Sequence, residues 1–137
     1  MRGLGLLIEL ARRQADERRA SLALIGRAKA DVDAACAAHD QREREEAAIA
    51  INDPAVLVTR DAWSRNDART RATLHSRSAE LARLESGARD ALRAAFADMK
   101  RLEVARDAGL RQERTQAMRR ADMLAAEAFA ATGRLAS

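Results

Sequence analysis

Aromatic residues are nearly missing from this chain. Among 137 residues there is no tyrosine, one tryptophan (Trp63) and two phenylalanines (Phe96 and Phe129), 2% in all. Aromatic side chains supply the largest buried areas of most cores, so a thick globular core is excluded. Cysteine occurs once, at Cys36. One thiol rules out an internal disulfide framework and fits a reducing compartment. Proline occurs once, at Pro54, and the six glycines are scattered, which leaves no glycine-rich loop able to cradle a phosphate. Long apolar runs are also lacking. No stretch approaches the roughly 20 residues that span a bilayer. The apolar start around Leu4, Leu7 and Ile8 is broken by Glu9, Arg12 and Arg13, too soon for the apolar segment of a signal peptide. The expectation is a cytoplasmic protein.

What is present is alanine, arginine, glutamate and leucine. Hydrophobic residues make up 47% of the chain and charged residues 34%. Much of the apolar share is alanine, the strongest helix former. Such a composition reads as a coiled coil or long helix, held by a thin seam and of modest stability. The net charge of +4 is uneven. Up to Asp53 there are nine basic and ten acidic residues; from Arg60 onward, sixteen and eleven. The basic surplus therefore lies in the second part. An acidic partner surface or nucleic acid are the functional readings of such a surplus.

The longest uninterrupted stretch runs from Thr59 to Thr132, without proline. Its apolar residues fall on two lines, Trp63, Leu81, Met99, Ala117 and Leu74, Leu92, Leu110, Ala128, each stepping by eighteen. Eighteen residues make five helical turns, so each line stays on one side of a helix. Gaps between the lines alternate eleven and seven, which predicts a straighter helix than a strict heptad gives. The first part is heptad-like. Leu4, Ala11, Arg18, Ile25, Val32 and His39 form one line; Ile8, Ala15, Leu22, Lys29, Cys36 and Glu43 form the other. Between the two parts, Asp53 is biased out of helical geometry by the proline that follows it, and Pro54 stops the first helix. The expected fold is all-α: one antiparallel two-helix coiled-coil hairpin over residues 1–137. Its helices cover about 4–51 and 61–132, with a turn over 52–60 capped by Thr59 or Asp61. Gly133 is expected to end the second helix.

The helices are unequal. Folding back near Ala55 sets Ile49 opposite Asp61 and Leu4 opposite about Arg106. The roughly thirty residues beyond, about 45 Å of helix, have no partner in the chain. Leu110, Met118, Met123, Leu124 and Phe129 nonetheless continue an apolar stripe. An uncovered stripe of this kind marks a site for a partner or for self-association.

No catalytic constellation emerges, and no metal or cofactor site is expected. His39 and His75 stand apart, and Cys36 with His39 reads as a seam pair. The carboxylates alternate with arginines as solvated helix pairs do, and the expectation is a protein that is not an enzyme. Three features carry a functional reading. Around the turn, Ile49, Ile51, Val56, Leu57, Val58 and Trp63 either plug the hairpin end or form a docking knob, with tryptophan as anchor. Arg111, Arg114, Arg119 and Arg120 are either a solvated face or a contact for an acidic ring. Leu4, Leu7, Ile8 and Leu10 form a patch wider than a seam requires, suggesting that both chain ends share an apolar contact. Arginines diluted by acids make nucleic-acid binding the lesser reading.

The stretch Met99-Lys-Arg-Leu-Glu-Val-Ala-Arg-Asp107, followed by Arg111-Gln-Glu-Arg-Thr-Gln-Ala-Met-Arg-Arg-Ala-Asp122, adds to this pattern. Together with the apolar helix start, the unequal hairpin and a tryptophan early in the second helix, it resembles the FliJ family. These are small coiled-coil proteins of the bacterial flagellar export apparatus, with YscO proteins as their injectisome counterparts. Arginine and alanine stand here where better-known members carry lysine, glutamine and tyrosine. The resemblance implies a stalk like that of rotary ATPases. Paired helix ends would enter the pore of a hexameric export ATPase. The hairpin would face the membrane-embedded export gate and escort export chaperones, placing the protein at the cytoplasmic side of the inner membrane through its partners. On this reading Leu4, Leu7, Ile8, Arg111, Arg114, Arg119, Arg120 and Leu124 meet the ATPase, and Val56, Leu57 and Trp63 lie on the side of the gate or chaperones. The rival readings are a homo-oligomeric coiled-coil scaffold and a basic helical nucleic-acid binder.

Overall fold

The computed structural model describes residues 2–136; the side chains of Arg2, Pro54, Val56, Leu57, Val58, Asp61, Ala62 and Ala136 lie outside the described set. It contains two helices, α1 (Arg2–Asn52) and α2 (Pro54–Ala136), and no strand among the described residues. The protein is an all-α helical hairpin. Neither helix is long and apolar enough to cross a membrane.

The connection is far shorter than the nine residues expected. Only Asp53 is non-helical. Its Oδ1 accepts a hydrogen bond from the backbone N–H of Ala55 at 3.0 Å, so Asp53 is the N-cap of α2 and Pro54 takes the first helical position. Proline belongs there, because its missing N–H would find no helical partner in any case. The β-branched Val56 and Val58 fall in the stretch expected as turn, with Thr59 or Asp61 as the cap. β-Branching weakens a helix by about 0.7 kcal/mol or less per residue, against about 3 kcal/mol for an interior proline. The helix therefore begins at its first capped position, and Thr59 and Asp61 sit inside it. At the other end, α2 runs through Gly133 to Ala136, and no glycine has positive φ among the described residues. Glycine ends a helix only by turning left-handed, and here the chain keeps helical dihedrals.

The side chains facing inward on α1 follow the two heptad lines closely. Ile8, Ala11, Ala15 and His39 are buried, and Leu4, Leu22, Ile25, Lys29, Val32, Cys36 and Glu43 are half-buried. Arg18 is the departure, being exposed. On α2 the pattern differs from the eighteen-residue lines. Buried and half-buried positions include Leu74, Ser78, Leu81, Glu85, Ala88, Leu92, Ala95, Met99, Leu102, Arg106 and Gly109. Their steps alternate four and three, the spacing of a heptad seam. Ser78, Glu85, Ala88 and Gly109 hold seam positions without being bulky, so a pattern of large residues alone skips them. The eighteen-residue lines also overrun the seam, since Trp63, Leu110, Ala117 and Ala128 are exposed.

The chain divides into two compact units. Unit 1 joins the start of α1, up to Ala15, with α2 from Ala95 onward; unit 2 is Asp16–Ala94. In unit 1 the Arg12 guanidinium meets Glu103 across the helices at 3.3 Å. Unit 2 is cross-linked by Asp33 with Ser78, Asp40 with Arg71 and His39 with Asp67. From Asp33–Ser78 to Asp40–Arg71 the α1 number rises and the α2 number falls, so the pairing there is antiparallel. The seam of unit 2 carries a polar knot. Lys29 Nζ donates to Asp33 Oδ2 at 2.8 Å, and Ser78 Oγ donates to Asp33 Oδ1 at 2.6 Å. Both bonds favour the charged carboxylate, so Asp33 sits below the usual carboxylate range, held first by Lys29 and then by Ser78. The bond to Asp33 likewise raises Lys29.

These shifts give unit 2 a pH dependence with a definite sign. Asp33 is depressed in the folded chain, so its contribution is complete above its unfolded value and is lost as pH falls through the folded one. Lys29 is raised, so its contribution holds below its unfolded value and is lost only as pH rises through the folded one. Urea midpoints read by circular dichroism should fall on acidification, and Asp33→Asn should flatten that acid limb. Packing gives a second expectation. Leu81 is 3% exposed and Phe129 is 82% exposed. Leu81→Ala should cost about 2–5 kcal/mol, and Phe129→Ala should stay within about 0.5 kcal/mol, both read from the same denaturation curves.

Candidate partner-binding site

Every described side chain of unit 1 from Leu110 to Leu135 is exposed. This is the stretch expected to lack a partner in its own chain. Its apolar residues are large: Met118, Met123 and Leu124 are 64–69% exposed, and Phe129 and Leu135 more than 80%. Leu110, Ala117, Leu124 and Ala131 repeat at seven residues, which keeps them on one side of a helix. Thr115 Oγ1 and Thr132 Oγ1 donate to the carbonyls of Arg111 and Ala128, one turn back. Their hydroxyls are thereby turned onto the backbone rather than outward.

Arg111, Arg114, Arg119 and Arg120, the four expected at a partner contact, are all exposed, but they do not share a face. At about 100° per residue, Arg111 and Arg120 stand half a turn apart, and Arg114 and Arg119 fall between them. They band the helix on most of its circumference. From Leu110 to Leu135 there are five arginines against Glu113, Asp122 and Glu127, a surplus of two.

The start of α1, also in unit 1, shows the wide apolar patch expected. Leu6, Leu7 and Leu10 are 63%, 50% and 55% exposed. Leu6 was not named with the patch in the sequence and is as exposed as Leu7 and Leu10. Leu4 is half-buried. Ile8, expected at the partner contact, is 2% exposed. Its side chain is taken up by the seam of unit 1 and is not available to a partner.

In unit 2, Trp63 is 62% exposed, and Ile49 and Ile51 are 60% and 81% exposed. Trp63 is largely exposed and does not plug the end of the hairpin; among the described residues there, Ala50 is buried, at 1% exposed. Beside Trp63 lies an open groove of about 720 Å³ lined by carboxylates and arginines, among them Asp40, Glu43, Arg60 and Arg71. The Val56 and Leu57 side chains, named with Trp63 as contacts, lie outside the described residues. His39 borders a smaller adjoining pocket with Glu43 and Asp67. It is 5% exposed, and neither ring nitrogen has a hydrogen-bond partner among the described residues. Read from sequence, His39 was paired with Cys36, one turn back. Cys36 is half-buried on the same seam, and Asp40 and Glu43 also bring a ligand atom within 4.8 Å of the imidazole; the spacing of residues 39 and 43 was the signal available for this.

Compared with known proteins, the chain matches no family model, no curated protein and no solved structure.

The exposure of Trp63 has a direct optical consequence. As the only tryptophan, it should emit at long wavelength and be quenched by acrylamide almost as readily in the folded chain as in urea. A blue-shifted, quencher-resistant emission would mean that its ring is covered, by this chain or by a second copy.

Proposed function

We propose that this protein is a non-enzymatic adaptor of a bacterial flagellar-type or type III protein export apparatus, acting as a stalk on its hexameric ATPase. The observation that supports this reading is the wholly exposed helix of Leu110–Leu135, apolar along one side and banded with arginine. A helix of this kind suits insertion into a surrounding ring. A ring contacts a helix from all sides, which matches arginines spread around the circumference better than a flat partner surface would. The apolar patch of Leu6, Leu7 and Leu10 adds a second contact to the same unit. The exposed Trp63 region of unit 2 is the side for the export gate or for chaperones. The resemblance of the stretches Met99–Asp107 and Arg111–Asp122 to the FliJ family supplies the choice of ATPase.

The second reading is a homo-oligomeric scaffold, favoured by the same exposed stripe, which a second copy would cover. Sedimentation of the purified chain across micromolar concentrations separates the two. The stalk reading expects an elongated monomer near 15.0 kDa; a stable dimer or tetramer would remove its physical basis. With the monomer in hand, stimulation of a flagellar-type ATPase is the functional assay. Leu124→Asp should weaken it by roughly thirty-fold, the effect of losing an interface hot spot of about 2 kcal/mol. Reversing Arg111, Arg114, Arg119 and Arg120 to glutamate should abolish it at unchanged helix content. Stimulation that survives the reversal would show that the arginines are a solvated face.

A further inference from the structure

We propose that unit 2 binds one divalent transition-metal ion of the zinc type between His39, Asp40 and Glu43, with Asp67 orienting the imidazole. Two independent observations meet at this place. The first is the geometry: one ligand atom from each of the three residues lies within 4.8 Å of the others. The second is the state of His39. Its side chain is 7% exposed, and both ring nitrogens lack a hydrogen-bond partner among the described residues. Buried polar groups in folded proteins are paired with few exceptions, and each exception calls for an explanation. A metal ion at the three-residue cluster is that explanation here, because an imidazole nitrogen is among the strongest side-chain ligands.

The arrangement follows from helix periodicity. His39 and Glu43 are one turn apart on the same face of α1, and Asp40 lies beside them. Ion–ligand bonds of about 2.0–2.2 Å place ligand atoms about 3.5 Å from one another. Closing from 4.8 Å asks only for a rotamer adjustment of the two carboxylates. Asp67, on α2, does not belong to the group of three, but its Oδ1 stands 3.7 Å from His39 Nε2. A metal-bound histidine commonly gives its other N–H to a carboxylate, which holds the ring in place. Water fills the remaining coordination positions from the adjoining pocket of about 220 Å³. The donor set selects the ion. Magnesium and calcium take oxygen ligands and would leave the imidazole unused, whereas imidazole with carboxylates suits zinc and its neighbours. Arg71 approaches Asp40 at 3.6 Å. Its side chain is 54% exposed and its Nε also donates to His75 Nε2 at 3.5 Å, so Arg71 keeps an exposed partner on its own helix when the ion takes Asp40. Arg44 donates to the Asp40 backbone carbonyl and does not occupy the carboxylate.

The test is calorimetric titration of zinc into the tag-free full chain, freed of metal by a chelator, with thermal melts followed by circular dichroism. The expected result is one ion per chain, a Kd of about micromolar or tighter, and a melting temperature that rises with zinc as ligand linkage requires. Glu43→Gln should weaken binding at least about tenfold, and Asp67→Asn by about 10–100-fold, the range for loss of an outer-shell partner. His39→Gln should abolish binding; if that variant unfolds, Glu43→Gln and Asp67→Asn still decide. Magnesium at the same concentration should give no heat. The proposal is overturned by absence of saturable zinc binding, by magnesium binding equally well, or by affinities that all three variants leave unchanged. The last outcome would mean an adventitious ion only.

Discussion

Two helices can shelter one another along a single stripe each, and that limit governs this protein. A residue on the stripe is covered; nearly everything else meets water. Among the described residues the well-buried apolar ones are Ile8, Ala11, Ala15, Ala50, Leu81 and Ala95, four of them alanine. At about 25 cal/mol per Å² of apolar surface removed from water, a methyl group contributes little. Alanine's use here is to let the helix backbones approach and to favour the helix itself. The same limit leaves Leu6, Leu7, Leu24, Ile51 and Phe129 exposed. In a thick fold such residues would be core; here they are surface on which other molecules can act.

A seam so poor in bulk is also poor at defining its own alignment, because a slip by one heptad exchanges one small apolar residue for another. Polar contacts discriminate more sharply. In unit 2 the Asp33 carboxylate takes donors from both Lys29 and Ser78, and a slip would leave it half-buried without the second. Polar groups in a helix interface have this use in coiled coils, where a single one can fix the alignment. Unit 1 has the Arg12–Glu103 pair, which has its arginine half exposed. Exposed pairs contribute about 0–1 kcal/mol, so alignment in unit 1 rests on Ile8, Ala11, Ala15 and Ala95 instead.

Much of this fold was legible in the sequence, and the misses share a physical origin. The α1 seam was read almost residue by residue, because Leu4, Ile8, Leu22, Ile25 and Val32 are large and repeat at heptad steps. The α2 seam was read through its largest residues, which made a four-and-three repeat look like eighteen. Serine, glutamate and glycine carry no hydrophobic signal, yet Ser78, Glu85 and Gly109 take seam positions because the neighbouring helix is there. The turn was overestimated because the cap was assigned to Thr59 or Asp61, although Asp53 and Pro54 already supply a helix start. The exposed end of unit 1 followed from unequal helix lengths alone. His39 was placed correctly on its line, but the carboxylates of Asp40 and Glu43 beside it were missed. Periodicity says which side of a helix a residue faces, and not which side chains converge on it.

The single-residue junction at Asp53 constrains how such a chain can change in length. A long loop absorbs an inserted or deleted residue at little cost. Here no loop exists to take up slack, and Asp53 is bound to its role by the hydrogen bond to Ala55. A one-residue insertion in α1 would rotate everything on one side of it by about 100° and turn the seam outward. Length can change quietly in two ways only: by whole heptads matched on both helices, or by residues added beyond Leu110, where α2 has no helix to stay in step with. The paired region is thus held to a fixed length while the free end is open to variation, so related chains would differ most in length at the end that reaches outward.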